Sequence, residues 1–328
     1  MATKTTKTNA DIAREFIQKF PDKGNLTIAK AIYAKHATRF ASVELARSCV
    51  RLQRGATGTT MRKRMKIQKN VTPTYLPLPK SMAKPRKAYQ LPQGKTLILS
   101  DIHIPYHDDV ALNVALTFAD TYKPDSILLN GDTIDFYAIS RWEKDPEIRN
   151  LVQELERTRQ FLMHLRGRFP KANIIWKNGN HEERWEHYLW NKAPELCGVS
   201  DFEMKNILRF DQCKVDFVHG RQKIKAGKHL TIIHGHEIPG APDPVNFART
   251  LCTKLKVCSM GGHKHKVSEH TEKTADDRYI SCWSIGCLSE MSPDFMVLNQ
   301  WQHGIATVEL AGNDFTVQNY RIIDGKVR

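Results

Sequence analysis

The chain has 328 residues, 41% hydrophobic and 26% charged, which is enough for one large domain and a smaller companion. No apolar run approaches the roughly 18 residues of a membrane span. The early lysines also lack a following apolar stretch of roughly 7–15 residues, so neither a transmembrane helix nor a secretory leader is expected. The net charge of +15 is unevenly held: residues 1–100 carry 21 Lys or Arg against four acids, and residues 101–328 carry 29 against 31.

The first sixty residues read as three short helices. Asp11 is expected to cap one bearing Ile12, Phe16 and Phe20, stopped by Pro21 and Gly24. Thr27 opens a second, with Ile28, Ile32 and Tyr33 on one face. Ser42 caps a third that ends at Gly55, and Arg47, Arg51 and Arg54 make one of its faces basic. A basic stretch follows with Arg62, Lys63 and Arg64. Five prolines between Val71 and Gly94 then mark a semi-extended linker. The expected division is a helical domain over 1–58, a basic linker over 59–94 and a second domain over 95–328.

Beyond the linker, strand and helix alternate. Apolar runs at 96–100, 126–130 and 173–177 are separated by helical patterns at 109–122 and about 145–168. Further strand-like runs follow at 215–218, 230–233, 256–260, 279–285, 305–310 and 315–320. This order predicts an α/β sandwich.

Thirteen of the 14 histidines lie between 103 and 303, and many stand with acids just beyond the strand-like runs. Asp101 and His103 follow the first run, Asp132 and Asp135 the second, and Asn180, His181 and Glu182 the third. His234 and His236 follow the run at 230–233, and His263 and His265 follow that at 256–260. In open α/β folds such strand ends converge on one rim. Asp and His without Cys suit Zn²⁺, Mn²⁺ or Fe. The donors are too many for one tetrahedral ion but suit two divalent ions about 3.5–4 Å apart, a spacing that clamps the oxygens of a phosphoester. The seven cysteines include no CxxC pair, which speaks against a disulfide framework or a thiolate zinc site and fits a reduced, cytoplasmic setting.

The ordered series DIH, GDTID, GNHE, HGH and GHKH resembles the calcineurin-like metallophosphoesterase family. The resemblance implies a four-layer α-β-β-α sandwich behind the small basic all-α domain. It implies that Asp101, His103 and His265 hold one metal, that Asn180, His234 and His263 hold the other, and that Asp132 bridges them. His181 becomes the acid beside the leaving oxygen and Asp135 the carboxylate that orients it. In the protein Ser/Thr phosphatase branch the GDxxD block continues Arg-Gly. Here Phe136-Tyr137 follows, which counts against a phosphoprotein phosphatase and leaves Arg184 or Arg141 as the candidate phosphate contact. Core or rim packing is the favoured reading of Trp142, Trp185 and Trp190, with base stacking near the site mouth the alternative.

For the amino-terminal helices, the concentration of bases favours a helix-turn-helix-like nucleic-acid module over a protein-binding one. Arg47, Arg51, Arg54, Arg62, Lys63 and Arg64 are its candidate contacts. The expected activity is hydrolysis of nucleic-acid phosphodiesters by metal-activated water. The alternatives are a phosphatase or nucleotide phosphodiesterase on a small substrate, and a DNA-binding regulator with an idle phosphoesterase scaffold. A basic arm on a compact hydrolase suits a phage or bacterial gene.

Overall fold

The computed structural model describes residues 7–57, 78–238, 246–293 and 296–328. The chain divides into two compact units, Met1–Ala83 and Lys84–Arg328.

The first unit holds α1 (Asn9–Lys19), α2 (Asn25–Lys35) and α3 (Val43–Gln53). Their apolar positions converge on a core of Ile12, Phe16, Ile28, Ile32, Phe40 and Val50. Asp11 is not the cap of α1. Thr8 is, and Asp11 returns the bond as the third helical residue of a capping box. α2 begins before Thr27, after Gly24. Ser42 caps α3, its side chain accepting from Leu45 N.

The basic face expected on α3 is smaller than its spacing suggested. Arg54 turns inward, its guanidinium donating to Lys23 O (2.9 Å), Asn25 Oδ1 (3.0 Å) and Pro21 O (2.9 Å), so it closes the α1–α2 turn. Arg47 pairs with Glu44 at 3.2 Å, and Arg51 is exposed. Arg62, Lys63 and Arg64 lie outside the described residues.

The second unit runs β1 (Tyr89–Gln90), β2 (Gly94–Leu99), α4 (Asp109–Tyr122), β3 (Ser126–Asn130), α5 (Leu151–Arg168), β4 (Asn173–Lys177), α6 (Asn180–Lys192) and two single-turn helices, α7 (Met204–Ile207) and α8 (Phe210–Cys213). It continues with β5 (Val215–Val218), β6 (Ile224–Ala226), β7 (Leu230–Ile232), α9 (Phe247–Leu255), β8 (Ser259–Gly261), β9 (Ser268–Lys273) and β10 (Tyr279–Ser284). β11 (Gly304–Ala311), β12 (Asp314–Ile323) and β13 (Lys326–Val327) complete it. Tyr89–Gln90 pair with Ile224 and Lys225, and Leu91 is buried beside them. The segment expected to be linker up to residue 94 therefore ends in an edge strand.

The strands form a seven-stranded sheet, β13-β12-β11-β2-β3-β4-β5, and a six-stranded sheet, β1-β6-β7-β8-β10-β9. Alternation along each strand assigns the layers. Leu97, Leu99, Ile127, Leu129, Ile174 and Trp176 pack with α4, α5 and α6 on one face of the larger sheet. Ile98, Leu128 and Ile175 face the other way and meet Ile224, Leu230, Ile232 and Met260 of the smaller sheet. On that sheet's outer face Ile233 and Cys282 pack with Phe247, Ala248 and Leu251 of α9. The unit is the four-layer α-β-β-α sandwich.

Just beyond β3, the buried Glu154 of α5 accepts from Tyr137 N (2.9 Å) and Ala138 N (2.8 Å), fixing the turn after Asp135. Burial pushes its pKa up to about 7 from 4.5, and the Ala138 bond only partly opposes this. The folded chain therefore binds a proton that the unfolded chain has lost, and stability falls as pH rises from 4.5 through 7. Relative to Glu154→Gln, the parent should lose up to about 3 kcal/mol across that window. Urea unfolding of both proteins at either end of it checks this, and parallel pH curves count against the assignment.

Candidate metal centre

β2, β3 and β4 run parallel in one sheet and β7 and β8 run parallel in the other, so their carboxyl ends share a rim. Asp101 and His103 leave β2, Asp132 and Asp135 leave β3, and Asn180 and His181 open α6 just past β4. His234 follows β7, and His263 and His265 follow β8. The backbone there is strained. Asp101, His103, Asp132, His263 and His265 all have φ between 51 and 69°, a left-handed region that few non-glycine residues adopt and that clusters at functional sites. A Cβ on Gly179 would overlap Asp132 Oδ1, so only glycine lets the start of α6 approach that carboxylate.

Asp132 is the hub. Its Oδ1 accepts from His181 N at 2.9 Å. Its Oδ2 lies 3.2 Å from His234 Nε2, 3.8 Å from His181 Nε2 and 4.0 Å from His103 Nε2. Asp101 Oδ1 faces His265 Nε2 at 3.1 Å, while its carboxylate accepts from His263 N and from Ser100 Oγ. Three overlapping trios result: Asp101, His103 and His265; His103, Asp132 and His181; Asp132, His234 and His263. Within each, the donor atoms lie within 4.8 Å of one another.

Ring tautomers follow from the partners, since a carbonyl can only accept. His234 Nδ1 donates to Asn130 O (2.8 Å), which aims the Nε2 lone pair at Asp132. His103 Nδ1 lies 2.9 Å from Asp135 Oδ2, aiming its Nε2 at His265 Nε2, 3.3 Å away. Nitrogens and carboxylates thus confront one another across a small space. Asn180 Oδ1 and His234 Nε2 are buried there with no hydrogen-bond partner. Burial opposes a charge on His234, yet Asp132 and Asp101 push its pKa up to about 10. The same burial pushes His263 down to about 3, with His234 adding to it. Orphaned donors around carboxylates that call for positive charge are what a divalent cation satisfies, and the donor set fits one.

Over residues 94–267 the chain matches the sequence profile of the calcineurin-like phosphoesterases. The chain belongs to that family. It is 26% identical to the gene 54 protein of Mycobacterium phage L5 over 246 residues, covering 71% of this chain and 95% of that one. The gene 54 protein of Mycobacterium phage D29 matches at 26% over 247 residues with the same coverage. Among solved structures, Vps29 from Entamoeba histolytica complexed with zinc is 16% identical, with a TM-score of 0.38 over 71% of this chain and 96% of that one. YfcE, a phosphoesterase from E. coli, is also 16% identical, with a TM-score of 0.31 over 69% and 97%. Calcineurin-like phosphoesterases are metal-dependent hydrolases that usually bind two divalent ions, and the trios at this rim are candidates to hold them.

His181 Nδ1 donates to Asp135 O at 2.9 Å, so its Nε2 faces the centre. Burial opposes protonation of His181, but Asp132 and Asp135 outweigh it and raise its pKa. Arg184 reaches the same spot, with Nη2 2.9 Å from His181 Nε2 and Nη1 2.9 Å from Asp135 O. The other candidate, Arg141, stacks on Trp142 at 4.8 Å. Trp142 and Trp190 are exposed, whereas Trp185 is core, stacked on Phe136 and donating to Phe202 O. Of the HGH pair, His234 is wholly buried at the centre and His236 turns toward Glu183 at 3.4 Å.

Several supporting residues carry no sequence signal of their role. Buried Glu182 accepts from Asp132 N (2.9 Å), Thr133 N (2.7 Å) and Gly179 N (2.7 Å), locking the GD turn to the start of α6. Lys177 closes an apparently apolar run, yet its buried ammonium pairs with Glu237 at 2.9 Å. Glu237 in turn accepts from His234 N and Gly235 N, which fixes the HGH turn. Trp301 packs edge-on against His265 at 4.2 Å.

Proposed function

We propose that the chain is a two-metal phosphoester hydrolase acting on nucleic-acid phosphodiesters. The observation that carries the two-metal part is that two donor trios with no residue in common, Asp101, His103 and His265 and Asp132, His234 and His263, are joined by a third of His103, Asp132 and His181. Asp101, His103 and His265 would hold one ion, Asn180, His234 and His263 would hold the other, and Asp132 would serve both. When bound, the ions supply Lewis-acid charge to the phosphate and activate water.

The chain's own side chains do the rest. Arg184 is placed to contact a phosphate oxygen beside His181. His181 would give the proton to the leaving oxygen from Nε2 once Arg184, whose Nη2 donates to that atom at 2.9 Å, turns to the phosphate, and Asp135 holds the ring through its carbonyl and carboxylate. Phe136-Tyr137 in place of Arg-Gly removes one grip on a phosphomonoester, which favours a diester. The nucleic-acid part rests on the basic first hundred residues, with exposed Arg51 and half-buried Arg47 on α3 and with Arg62, Lys63 and Arg64 beyond it. The phage relatives agree with a phage source for such a protein.

The test is the full-length protein with Mn²⁺ on single- and double-stranded DNA and on RNA, beside a bis-aryl phosphodiester and an aryl monoester. Polymer and diester should be cleaved faster than monoester, and His181→Ala should lose at least about 100-fold, the low end of what a general acid contributes. DNA affinity should fall steeply with salt, and Arg51→Glu should weaken it without changing turnover of the aryl diester. Faster monoester turnover with no DNA binding at low salt transfers the assignment to a small-substrate phosphatase. Binding without any hydrolysis makes the scaffold idle.

A further inference from the structure

On the outer face of the smaller sheet, under α9, lies a second cluster of metal donors. Cys252 of α9, His270 and Glu272 of β9 bring a sulfur, a ring nitrogen and a carboxylate oxygen within 4.8 Å of one another. β9 is unusual in facing a helix with polar residues: Ser268, His270 and Glu272 are half-buried and the residues between them are exposed. His270 Nε2 meets Glu272 Oε1 at 3.0 Å. Cys252 is fully buried, while the side chains of His270 and Glu272 are 25% and 40% exposed, so the cluster runs from the apolar interior to the surface. A second thiol adjoins. Cys282 of β10 is the cross-strand partner of His270 and packs in the same apolar cluster as Cys252.

The cluster is far along the strands from the rim. Glu272 pairs with Ile280, at the start of β10, whereas the rim lies past the carboxyl end of the parallel β8. It shares no residue with the centre described above, and its chemistry differs, since the rim trios contain no sulfur.

We propose that Cys252, His270 and Glu272 form a separate, thiolate-containing site for Zn²⁺ that clamps α9 to β9. Thiolate, imidazole and carboxylate are a zinc donor set. Tetrahedral zinc brings such donors to about 3.5 Å from one another, so the long Glu272 side chain closes on the ion by rotation. As the S–Zn bond forms, the thiol proton passes to water. α9 packs on β8, β9 and β10, and β8 leads directly into His263 and His265, so the clamp supports the strand that delivers those rings.

Co²⁺ titration of the full-length chain tests this, because only thiolate ligation gives a sulfur-to-cobalt charge-transfer band in the near ultraviolet. The parent should show the band, and Zn²⁺ should quench it. Cys252→Ser should abolish it. His270→Asn and Glu272→Gln, at the exposed edge and harmless to packing, should weaken Co²⁺ binding at this site at least about tenfold. Hydrolysis at the rim should persist in both edge variants. No band in the parent overturns the proposal, as does a band unchanged in both edge variants, even if Cys252→Ser fails to fold.

Discussion

Asp132→Asn is expected to remove metal-dependent hydrolysis, by more than the roughly 10–100-fold lost when a mere supporting partner of a metal site is changed. The reason is geometric. One oxygen of Asp132 is surrounded by the Nε2 atoms of three histidines, and the other anchors the start of α6 through His181 N. Asparagine keeps the shape and can keep the anchor, but it removes the charge that the middle trio shares with the trio of His234 and His263. The same change should also cost stability in the metal-free protein. Burial opposes the charge on Asp132, but the histidines around it, His234 and His181 foremost, outweigh this and hold its carboxyl well below the usual carboxylate range, so neutralising it removes a charge that favours the folded state. The decisive reading therefore combines two measurements. Unfolding without metal should shift downward, while the stabilisation by Mn²⁺, about 2.7 kcal/mol at a hundred times Kd in the parent, should largely vanish along with turnover. Undiminished turnover in this variant would falsify the bridging role.

The centre was legible in the sequence because its chemistry sits at strand ends. Short apolar runs such as SILLN announce strands, and the Asp, His and Asn residues just after them land on a common rim once those strands run parallel. The resemblance of the five blocks to one family added an expectation of how the donors pair, which spacing alone leaves open. The four layers were implied by the same resemblance, and the structure gives their reason: Leu97, Ile98 and Leu99 alternate between the two faces of a sheet buried on both sides.

What escaped had a physical cause in each case. β9, SEHTEK, is polar on both faces and so lacks the period-two signal. Two-residue β1 has no pattern to detect inside a proline-rich stretch. The spacing of Arg47, Arg51 and Arg54 fixes a helix face but not what each guanidinium binds, and Arg54 is consumed by backbone carbonyls of the preceding turn. Lys177 ends an apolar run and reads as a strand terminus, since a partner 60 positions away in sequence leaves no local trace.

Glu182→Ala should be the most damaging substitution to the fold of the centre, although Glu182 need touch neither metal nor substrate. Its buried carboxylate is the acceptor for the backbone N–H groups of Asp132, Thr133 and Gly179 and, at 3.5 Å, of Ile134. Each buried donor left without an acceptor costs about 1–3 kcal/mol, so truncation should destabilise the protein by about 3–5 kcal/mol. Part of that cost is offset, because burial and the neighbouring charge of Asp132 push the pKa of Glu182 up to about 7 and the carboxylate is itself under strain. Glu182→Gln relieves that burden and keeps one accepting oxygen, so it should cost clearly less, about 1–2 kcal/mol. Denaturant unfolding separates the three proteins. Turnover should follow the same order, because the GD turn and the start of α6 carry Asp132, Asn180 and His181 as one piece. If Glu182→Ala lost turnover but kept the parent's stability, the residue would belong to the chemistry itself. Loss of stability with intact turnover in the surviving folded fraction would mean that Asp132 and Asn180 hold their positions without this carboxylate.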